Sequence, residues 1–243
     1  MGKTTDLESR LLFVNDDVIV VNKTAGEAME GAKRGIIDLP KLLKEQFGTV
    51  KKGGDKAFAP AAVHRIDVPV TGCALFARNP KVAAFLGDSF ARTVYQEGRA
   101  EKFYWAIVEL SPAFSKLPDT GELVHWIQTN AKENKSTAYN TANSRRKEAI
   151  LRYRVRGKGK SYGFLEIDLV TGRHHQIRAQ LAALGIHIKG DLKYGAKRSE
   201  KNGGIRLHSH SLYFPDPSRP GNTIEVNATP PVQDKLWQDF IAY

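Results

Sequence analysis

Three short stretches of this chain hold residues whose types and spacing could do chemistry. The first is His64-Arg65-Ile66-Asp67-Val68-Pro69-Val70-Thr71-Gly72. Proline restricts the residue before it and donates no hydrogen bond, so Asp67 is expected in a loop just past a strand. A carboxylate there can serve as a nucleophile, as a base, or as an anion that stabilises a developing cation. Read alone, the stretch is first of all a turn, with Arg65 a solvated neighbour, because Asp and Pro are ordinary turn formers. The second stretch, Thr171-Gly172-Arg173-His174-His175-Gln176-Ile177-Arg178, follows an apolar strand and opens a helix. Backbone N–H groups at such a junction favour anions, and the arginines and histidines add cationic and hydrogen-bonding capacity. The bland alternative is a polar helix start with Arg178 on a solvated flank. A metal site at His174, His175 and His187 is not expected, since adjacent histidines point in different directions and no carboxylate has helical ligand spacing to them. The third stretch is Lys102-Phe103-Tyr104-Trp105-Ala106. Strand alternation places Tyr104 opposite Phe103 and Trp105. The latter two read as core, whereas the Tyr104 hydroxyl needs a partner if it is buried.

A fourth pattern is one of charge. Arg152, Arg154, Arg156, Lys158 and Lys160 recur with period two. On a regular strand they would line one face as a track for RNA phosphates. The competing reading pairs them across a hairpin, Arg152 opposite Asp168 and Arg154 opposite Glu166, and it is the stronger one for these two inner arginines. Lys158 and Lys160, at the tip, stay available for phosphate in either case.

The elements that must position these residues are mostly strands. Leu12 to Val21 reads as two short strands around the turn formers Asn15-Asp16-Asp17. Asp38 is a helix cap with Pro40 in the first turn, and the helix runs to Gly48. Lys51 to Lys56 is a Gly/Lys-rich loop. Ala61 to Ile66 and Gly72 to Arg78 read as strands on either side of Asp67. Pro80 starts a helix with Val82, Phe85, Leu86, Phe90 and Val94 on one apolar face. Further strands are expected over Lys102 to Leu110, Glu122 to Gln128, Arg206 to Phe214 and Thr223 to Val226. Glu148 to Arg156 and Phe164 to Val170 form a hairpin around Gly157-Lys158-Gly159-Lys160. A short helix over His175 to Leu184 turns Ile177, Leu181 and Leu184 inward and stops at Gly185. Pro231 to Tyr243 closes the chain as an amphipathic helix carrying Leu236, Trp237 and Phe240. The expected class is therefore α+β: a mostly antiparallel mixed sheet with flanking helices, in a single domain spanning residues 1–243.

Composition narrows the partner. The chain has 243 residues, enough for a sizeable core. Lys plus Arg number 37 against 26 Asp plus Glu, a formal net charge of +11 that favours a polyanion. No apolar run approaches the roughly 20 residues of a spanning helix, and Met1 to Arg10 lacks a signal-peptide core, so no membrane role and a cytoplasmic setting are expected. Cys73 is the only cysteine, which excludes an intrachain disulfide and a cysteine-based zinc site.

Taken together, the motifs resemble the RluA class of pseudouridine synthases. Leu12 to Gly26 is similar to that family's opening strand pair, and His64-Arg65-Ile66-Asp67 with Thr71-Gly72 to its catalytic loop. Lys102 with Tyr104 matches its Lys-x-Tyr strand. Thr171 through Gln176, Ile177, Arg178, Gly190, Asp191, Tyr194 and Gly195 match its last motif. The resemblance runs from about Leu11 to about Phe214 in the family's order, and four ordered motifs outweigh the turn reading of Asp67. Departures are Thr24 where the family usually has Pro, Val70-Thr71 for a Thr-Ser pair, His174 for a small hydroxyl residue, and His187 where proline is common.

The resemblance implies a pseudouridine synthase-like catalytic domain, without the small RNA-binding domain that many relatives carry in front. It implies isomerisation of uridine in structured RNA, ribosomal or transfer, with no cofactor, no metal and no obligate protein partner. By the same resemblance Asp67 is the essential carboxylate, attacking C1′ or removing the 2′ proton. Arg178 is the cation that favours its ionised form, and Tyr104 stacks on the target base and helps remove the C5 proton. Arg65 fills the gap left by the flipped uridine, and Ile188 packs under the flipped base. His64, Arg173, His175 and Gln176 complete the RNA-binding set. One rival is an inactive RNA-binding protein of the same fold, which loss of Asp67 would have signalled. Another is a glycosidase, which usually needs a second carboxylate; Asp191 is the only acidic candidate in the matched motifs, and its Gly-Asp setting reads better as a turn.

Overall fold

The computed structural model describes residues 6–33, 35–49, 57–92, 96–231 and 234–243. The first strands are β1 (Leu11–Val14), β2 (Val18–Lys23), β3 (Glu27–Ala28) and β4 (Ile37–Asp38), followed by helix α1 (Leu39–Phe47). Next come β5 (Ala61–Ala62), β6 (Thr71–Ala77), α2 (Pro80–Ala91), β7 (Glu101–Glu109) and the short α3 (Pro112–Ser115). The antiparallel run β8 (Thr120–Asn130), β9 (Lys135–Tyr139), β10 (Lys147–Lys158) and β11 (Tyr162–Asp168) leads to α4 (Gln176–Ala183). The chain ends with β12 (Leu207–Pro215), β13 (Thr223–Asn227) and α5 (Lys235–Ala242). It divides into two compact units: Met1–Glu101 with Ser209–Pro231, and Lys102–His208 with Val232–Tyr243. The class is α+β and the sheet is mostly antiparallel, as expected; the two-residue pair β3–β4 is parallel.

In the first unit the strand order is β1-β2-β6-β12, with β5 on β6 and β13 on β12. The run Val18-Ile19-Val20-Val21 is buried on both faces. On one face Val18 and Val20 join Cys73, Leu75, Val82, Leu86, Leu212 and Phe214 in a single cluster, which docks α2 on the sheet. Both helices start as the sequence demands. The Asp38 side chain accepts from Lys41 N–H, with Pro40 in the first turn and Gly48 ending the helix at φ 68°. The Asn79 side chain accepts from Val82 N–H ahead of Pro80. Two expectations need correction. Phe85 is 41% exposed and lies off the buried face of α2. The strand expected over Ala61 to Ile66 is only Ala61–Ala62. The cause is His64, whose Nε2 accepts from Leu75 N–H at 3.0 Å. A ring nitrogen thus replaces the backbone carbonyl that a continuing ladder would supply. Val94 and the Lys51 to Lys56 loop lie outside the described residues.

In the second unit the order is β7-β11-β10-β8-β9. The sequence pattern had not pointed to β9. Its residues, Lys135-Ser136-Thr137-Ala138-Tyr139, carry no apolar run; they pair with β8 through a turn at Asn134, which has φ 47°. Helix α4 packs Ala179 against Ile127 and Ala149, together with Tyr194. Helix α5 packs Trp237 and Phe240 on Ile107 and Phe164, and Trp105 is only partly buried against them. On β7 it is the Tyr104 face that is buried, while Phe103 and Trp105 are intermediate. The hairpin register places Arg152 opposite Asp168 and Arg154 opposite Glu166.

Candidate active site

The singled-out residues divide between the units: His64, Arg65 and Asp67 in the first, and Tyr104, Arg173, His175, Gln176, Arg178 and Ile188 in the second. Asp67 is half-buried and opens a tight turn that closes when Val70 N–H donates to its carbonyl at 3.0 Å. Gly26 N–H donates to the Val68 carbonyl at 2.9 Å and fastens this turn to the segment after β2. The turn ends at Gly72, where φ is 112° and an added Cβ would stand 2.1 Å from the Ser209 carbonyl oxygen. Only glycine serves there. Arg65 projects outward, its side chain 75% exposed and 3.5 Å from Glu30. His64 turns inward instead, stacking on Phe90 with ring centroids 4.9 Å apart.

Beneath the turn lies a group that the motif search passed over. Lys23 ends β2 fully buried. Its ammonium donates to the carbonyls of Thr24 (3.1 Å), Val68 (3.1 Å) and Val70 (2.6 Å). Burial lowers its pKa from the usual lysine value to about 7, against the opposing pull of the Glu27 and Asp67 carboxylates. Glu27 is itself buried, paired with Arg10 at 2.8 Å and accepting from Thr24 N–H at 2.8 Å. That last bond depends on the departure at Thr24, because proline has no N–H to give. The signal in the sequence was a lysine at the end of an otherwise apolar strand.

In the second unit Arg178 is not on a solvated flank. Its Nε and Nη2 grip both carboxylate oxygens of Asp191, at 2.6 and 2.8 Å, with side chains 5% and 2% exposed. Its guanidinium lies 4.9 Å from the Tyr194 ring centroid. Asp191 does sit at a turn, as its Gly-Asp setting suggested, and in addition locks the arginine fork. Gln176 organises the preceding loop: its amide oxygen accepts from the Thr171 hydroxyl (2.8 Å) and Arg173 N–H (2.9 Å), while its nitrogen donates to the Ile150 carbonyl (3.0 Å). Gly172 leaves room for the buried Lys102, whose Nζ lies 3.0 Å from the place of an added Cβ. Arg173 is exposed and donates to the Glu148 carbonyl at 2.8 Å. Ile188 is buried and bridges to Val108 of β7.

The histidines behave differently from expectation. His174 and His175 do not diverge; their rings stack with centroids 3.8 Å apart, because His175 takes a left-handed backbone at φ 53°. The Tyr194 hydroxyl donates to the Ser136 carbonyl and accepts from Ser136 N–H, so His175 Nδ1, 3.0 Å away, carries the hydrogen and donates to it. His174 contacts Asn134 and Ser136, tying the β8–β9 turn to the start of α4. His187 Nδ1 meets the Tyr194 carbonyl at 2.7 Å. No cluster of three or more His, Cys, Asp or Glu with metal-binding geometry occurs among the described residues.

The cationic stripe on β10 is interrupted. Arg152 pairs with Glu122 at 2.9 Å and approaches Asp168 at 3.9 Å. Glu166 takes Arg156, at 3.4 Å, rather than its register partner Arg154, since the register shifts between Val155 and Gly157. Lys158 and Lys160 are exposed at the tip.

Residues 17–183, more than half of the chain, match the RNA pseudouridylate synthase family. An uncharacterized RNA pseudouridine synthase from Zymomonas mobilis is 30% identical over 208 residues, 85% of this chain and 87% of the relative. A tRNA pseudouridine synthase C from Haemophilus ducreyi is 27% identical over 96% of this chain and 94% of its own. Ribosomal large subunit pseudouridine synthase C from Vibrio parahaemolyticus is 25% identical over 97% of this chain and 70% of its own. The fold matches human RNA pseudouridylate synthase domain containing 4 with a TM-score of 0.71 at 20% identity, covering 97% of this chain and 93% of that one. Four motifs in family order, the family match through all but the last part of them, and the shared fold agree: the chain belongs to the RluA-class RNA pseudouridine synthases, which are isomerases.

Proposed function

We propose that this enzyme converts particular uridines of ribosomal or transfer RNA to pseudouridine, with Asp67 as its essential carboxylate. The observation that supports this most is the placing of Asp67 on a closed, half-buried turn. A carboxylate so held is pre-aimed, and little freedom remains to be lost when RNA arrives. The relatives named for ribosomal and for transfer RNA match at comparable identity, so both substrate classes belong to the proposal.

The reaction breaks C1′–N1, turns the uracil and joins C1′ to C5. N1 gains a hydrogen and C5 loses one, with no net redox change, so the proposal needs no cofactor. Asp67 acts on the ribose, either by attacking C1′ or by removing the 2′ proton, and its negative charge stabilises an oxocarbenium-like C1′. Tyr104 stacks on the base and helps remove the C5 proton. Arg178, oriented by Asp191, supplies positive charge for the carboxylate chemistry. Arg65, Arg173 and Ile188 serve the RNA and its flipped base, whereas His64 and Gln176 support the backbone around them and His175 holds the Tyr194 hydroxyl. No helix among the described residues is long and apolar enough to cross a membrane, and a cytoplasmic location suits the proposed substrates.

Incubation with unmodified ribosomal and transfer RNA tests this. Pseudouridine should appear with RNA mass unchanged and no uracil released. Free uracil would mark a glycosidase, and tight binding without either product would mark an inactive RNA-binding protein.

A further inference from the structure

We propose that Arg146 and Tyr139 form a docking platform for an unpaired nucleotide of the substrate RNA. The inference rests on RNA being the substrate and extends that reading to a surface outside the four motifs. Both residues lie in the second unit, where the connection from β9 to β10 brings Arg146 back over Tyr139. Arg146 Cζ stands 3.6 Å from the centroid of the Tyr139 ring. Contact that close is reached only over the face of a ring, so guanidinium and ring are stacked. A tight turn holds the arginine there. The Asn143 side chain accepts from Arg145 N–H at 2.9 Å, and the Asn143 carbonyl accepts from Arg146 N–H at 3.2 Å. Arg146 Nη1 donates to the Thr141 carbonyl at 2.8 Å and to the Thr141 hydroxyl at 3.0 Å. These bonds occupy one end of the guanidinium. Nε makes no hydrogen bond, and among the described residues no carboxylate pairs with Arg146. A brace for the loop needs the Nη1 bonds alone. A stacked cation whose charge is not neutralised is in addition a surface for a base, since bases stack on arginine planes as they do on aromatic rings.

The surroundings select RNA as the occupant. From Tyr139 to Lys147 the chain carries Arg145, Arg146 and Lys147 and no Asp or Glu. Arg145 and Lys147 are exposed beside the platform, placed for phosphates. Trp126, opposite Tyr139 in the β8–β9 register, is half-buried and adds a second ring on the same face. The carboxylate of this row, Glu148, lies on the far side of Trp126, two strands or about 10 Å from Tyr139. Arg173 donates to the Glu148 carbonyl at 2.8 Å and so joins the patch to the loop that opens α4. Aromatic rings interleaved with cations hold single strands by base stacking and phosphate contacts, with little preference for sequence. The platform therefore takes a single-stranded stretch that flanks the target uridine, and it has no part in the chemistry.

The test measures binding by the full-length protein to two probes. One is an oligouridylate of about 20 nucleotides, longer than the roughly 4–16 that a single-strand-binding fold covers, and the other is a blunt RNA duplex of the same length. Arg146→Lys keeps the charge and loses the plane. It should bind the single strand at least about fivefold more weakly than wild type, with an unchanged slope of log affinity against log salt. It should bind the duplex within about twofold of wild type, because bases inside a duplex are not free to stack on the protein. Tyr139→Leu should behave like Arg146→Lys, since the guanidinium loses the ring that orients it. Arg145→Gln with Lys147→Gln should instead flatten the salt slope by about 0.7 for each lost contact. An Arg146→Lys protein that binds the single strand as tightly as wild type, or that loses single strand and duplex equally, would overturn the platform. If the variants do not fold, the wild type still decides. Thiouridine placed in the oligouridylate should crosslink under ultraviolet light to residues between Tyr139 and Lys147, and crosslinks found only elsewhere would overturn the proposal. Neither readout needs turnover, so a wild type that binds in this way and forms no pseudouridine would fault the assignment of the reaction and leave the platform standing.

Discussion

Replacing Asp191 with asparagine probes a charge pair buried on both sides in the second unit. Asp191→Asn preserves shape and leaves one oxygen to accept a hydrogen bond, but it takes the negative charge from a guanidinium that is 5% exposed. Breaking a buried pair from one side costs about 3–5 kcal/mol, and the retained hydrogen bond argues for the lower end. For a chain of this size each kcal/mol moves Tm by about 2–4 °C, so a fall of about 6–12 °C is expected. Arg178→Ala leaves the Asp191 carboxylate buried without the Nε and Nη2 donors and should reach the upper end of that range. Arg178→Lys should recover only part, because an ammonium cannot present the planar fork that spans both oxygens. Thermal melts and urea titrations of the single variants and the double variant form a cycle. The double variant should lose markedly less than the sum of the singles. A Tm change below about 2 °C for Asp191→Asn, or strict additivity, would show that this pair contributes little to the fold.

Neutralising Lys158 and Lys160 together should weaken RNA binding and flatten the slope of log affinity against log salt by about 0.7 per lost contact with single-stranded RNA; an unchanged slope would leave both lysines as solvated tip residues. Gly72→Ala should destabilise the Asp67 turn by roughly 3 kcal/mol or more, because its φ is 112° and the new methyl would meet the Ser209 carbonyl at 2.1 Å; a melt within a degree or so of wild type would contradict that close approach. Cys73 is fully buried, and burial pushes its thiol up to about 12. It should therefore resist iodoacetamide at pH 8 in the folded protein and react only after denaturation.

Much of this molecule was legible in the sequence because local chemistry decided it. Asp38 with Pro40 and Gly48 bracketed α1, and Asn15 to Asp17 marked the β1–β2 turn, since caps and turns are short-range events. The hairpin partners Arg152 with Asp168 and Arg154 with Glu166 followed from counting back from its tip. What escaped was tertiary. A histidine that replaces a carbonyl at Leu75 cut one strand short, and a bulge at Arg156 moved Glu166 to a different arginine. The β9 strand carries no apolar alternation and is held by its ladder to β8 and by the Tyr194 hydroxyl. In the candidate site the motif residues could be named, but not what holds them. Asp191 was visible only as a turn residue of the last motif, and Lys23 only as one residue of the stretch Leu12 to Gly26, past the strand expected to end at Val21. Buried ion pairs and backbone clamps join residues distant in sequence, and nothing in local spacing announces them.

Asp67→Asn tests most directly whether Asp67 is the carboxylate that acts on the ribose. The amide is nearly the size of the carboxylate, so the turn closed by the Val70 N–H should persist. It carries no charge and is a poor nucleophile and a poor base, so either route at the ribose fails. Folding is checked first by circular dichroism, and RNA affinity by filter binding. The decisive measurement is tritium release from C5-labelled uridine in RNA under single-turnover conditions, because the rearrangement must expel that hydrogen. A folded Asp67→Asn protein that binds RNA and releases no detectable tritium is the predicted result. Substantial release by that protein, free of wild-type enzyme, would place the catalytic carboxylate elsewhere.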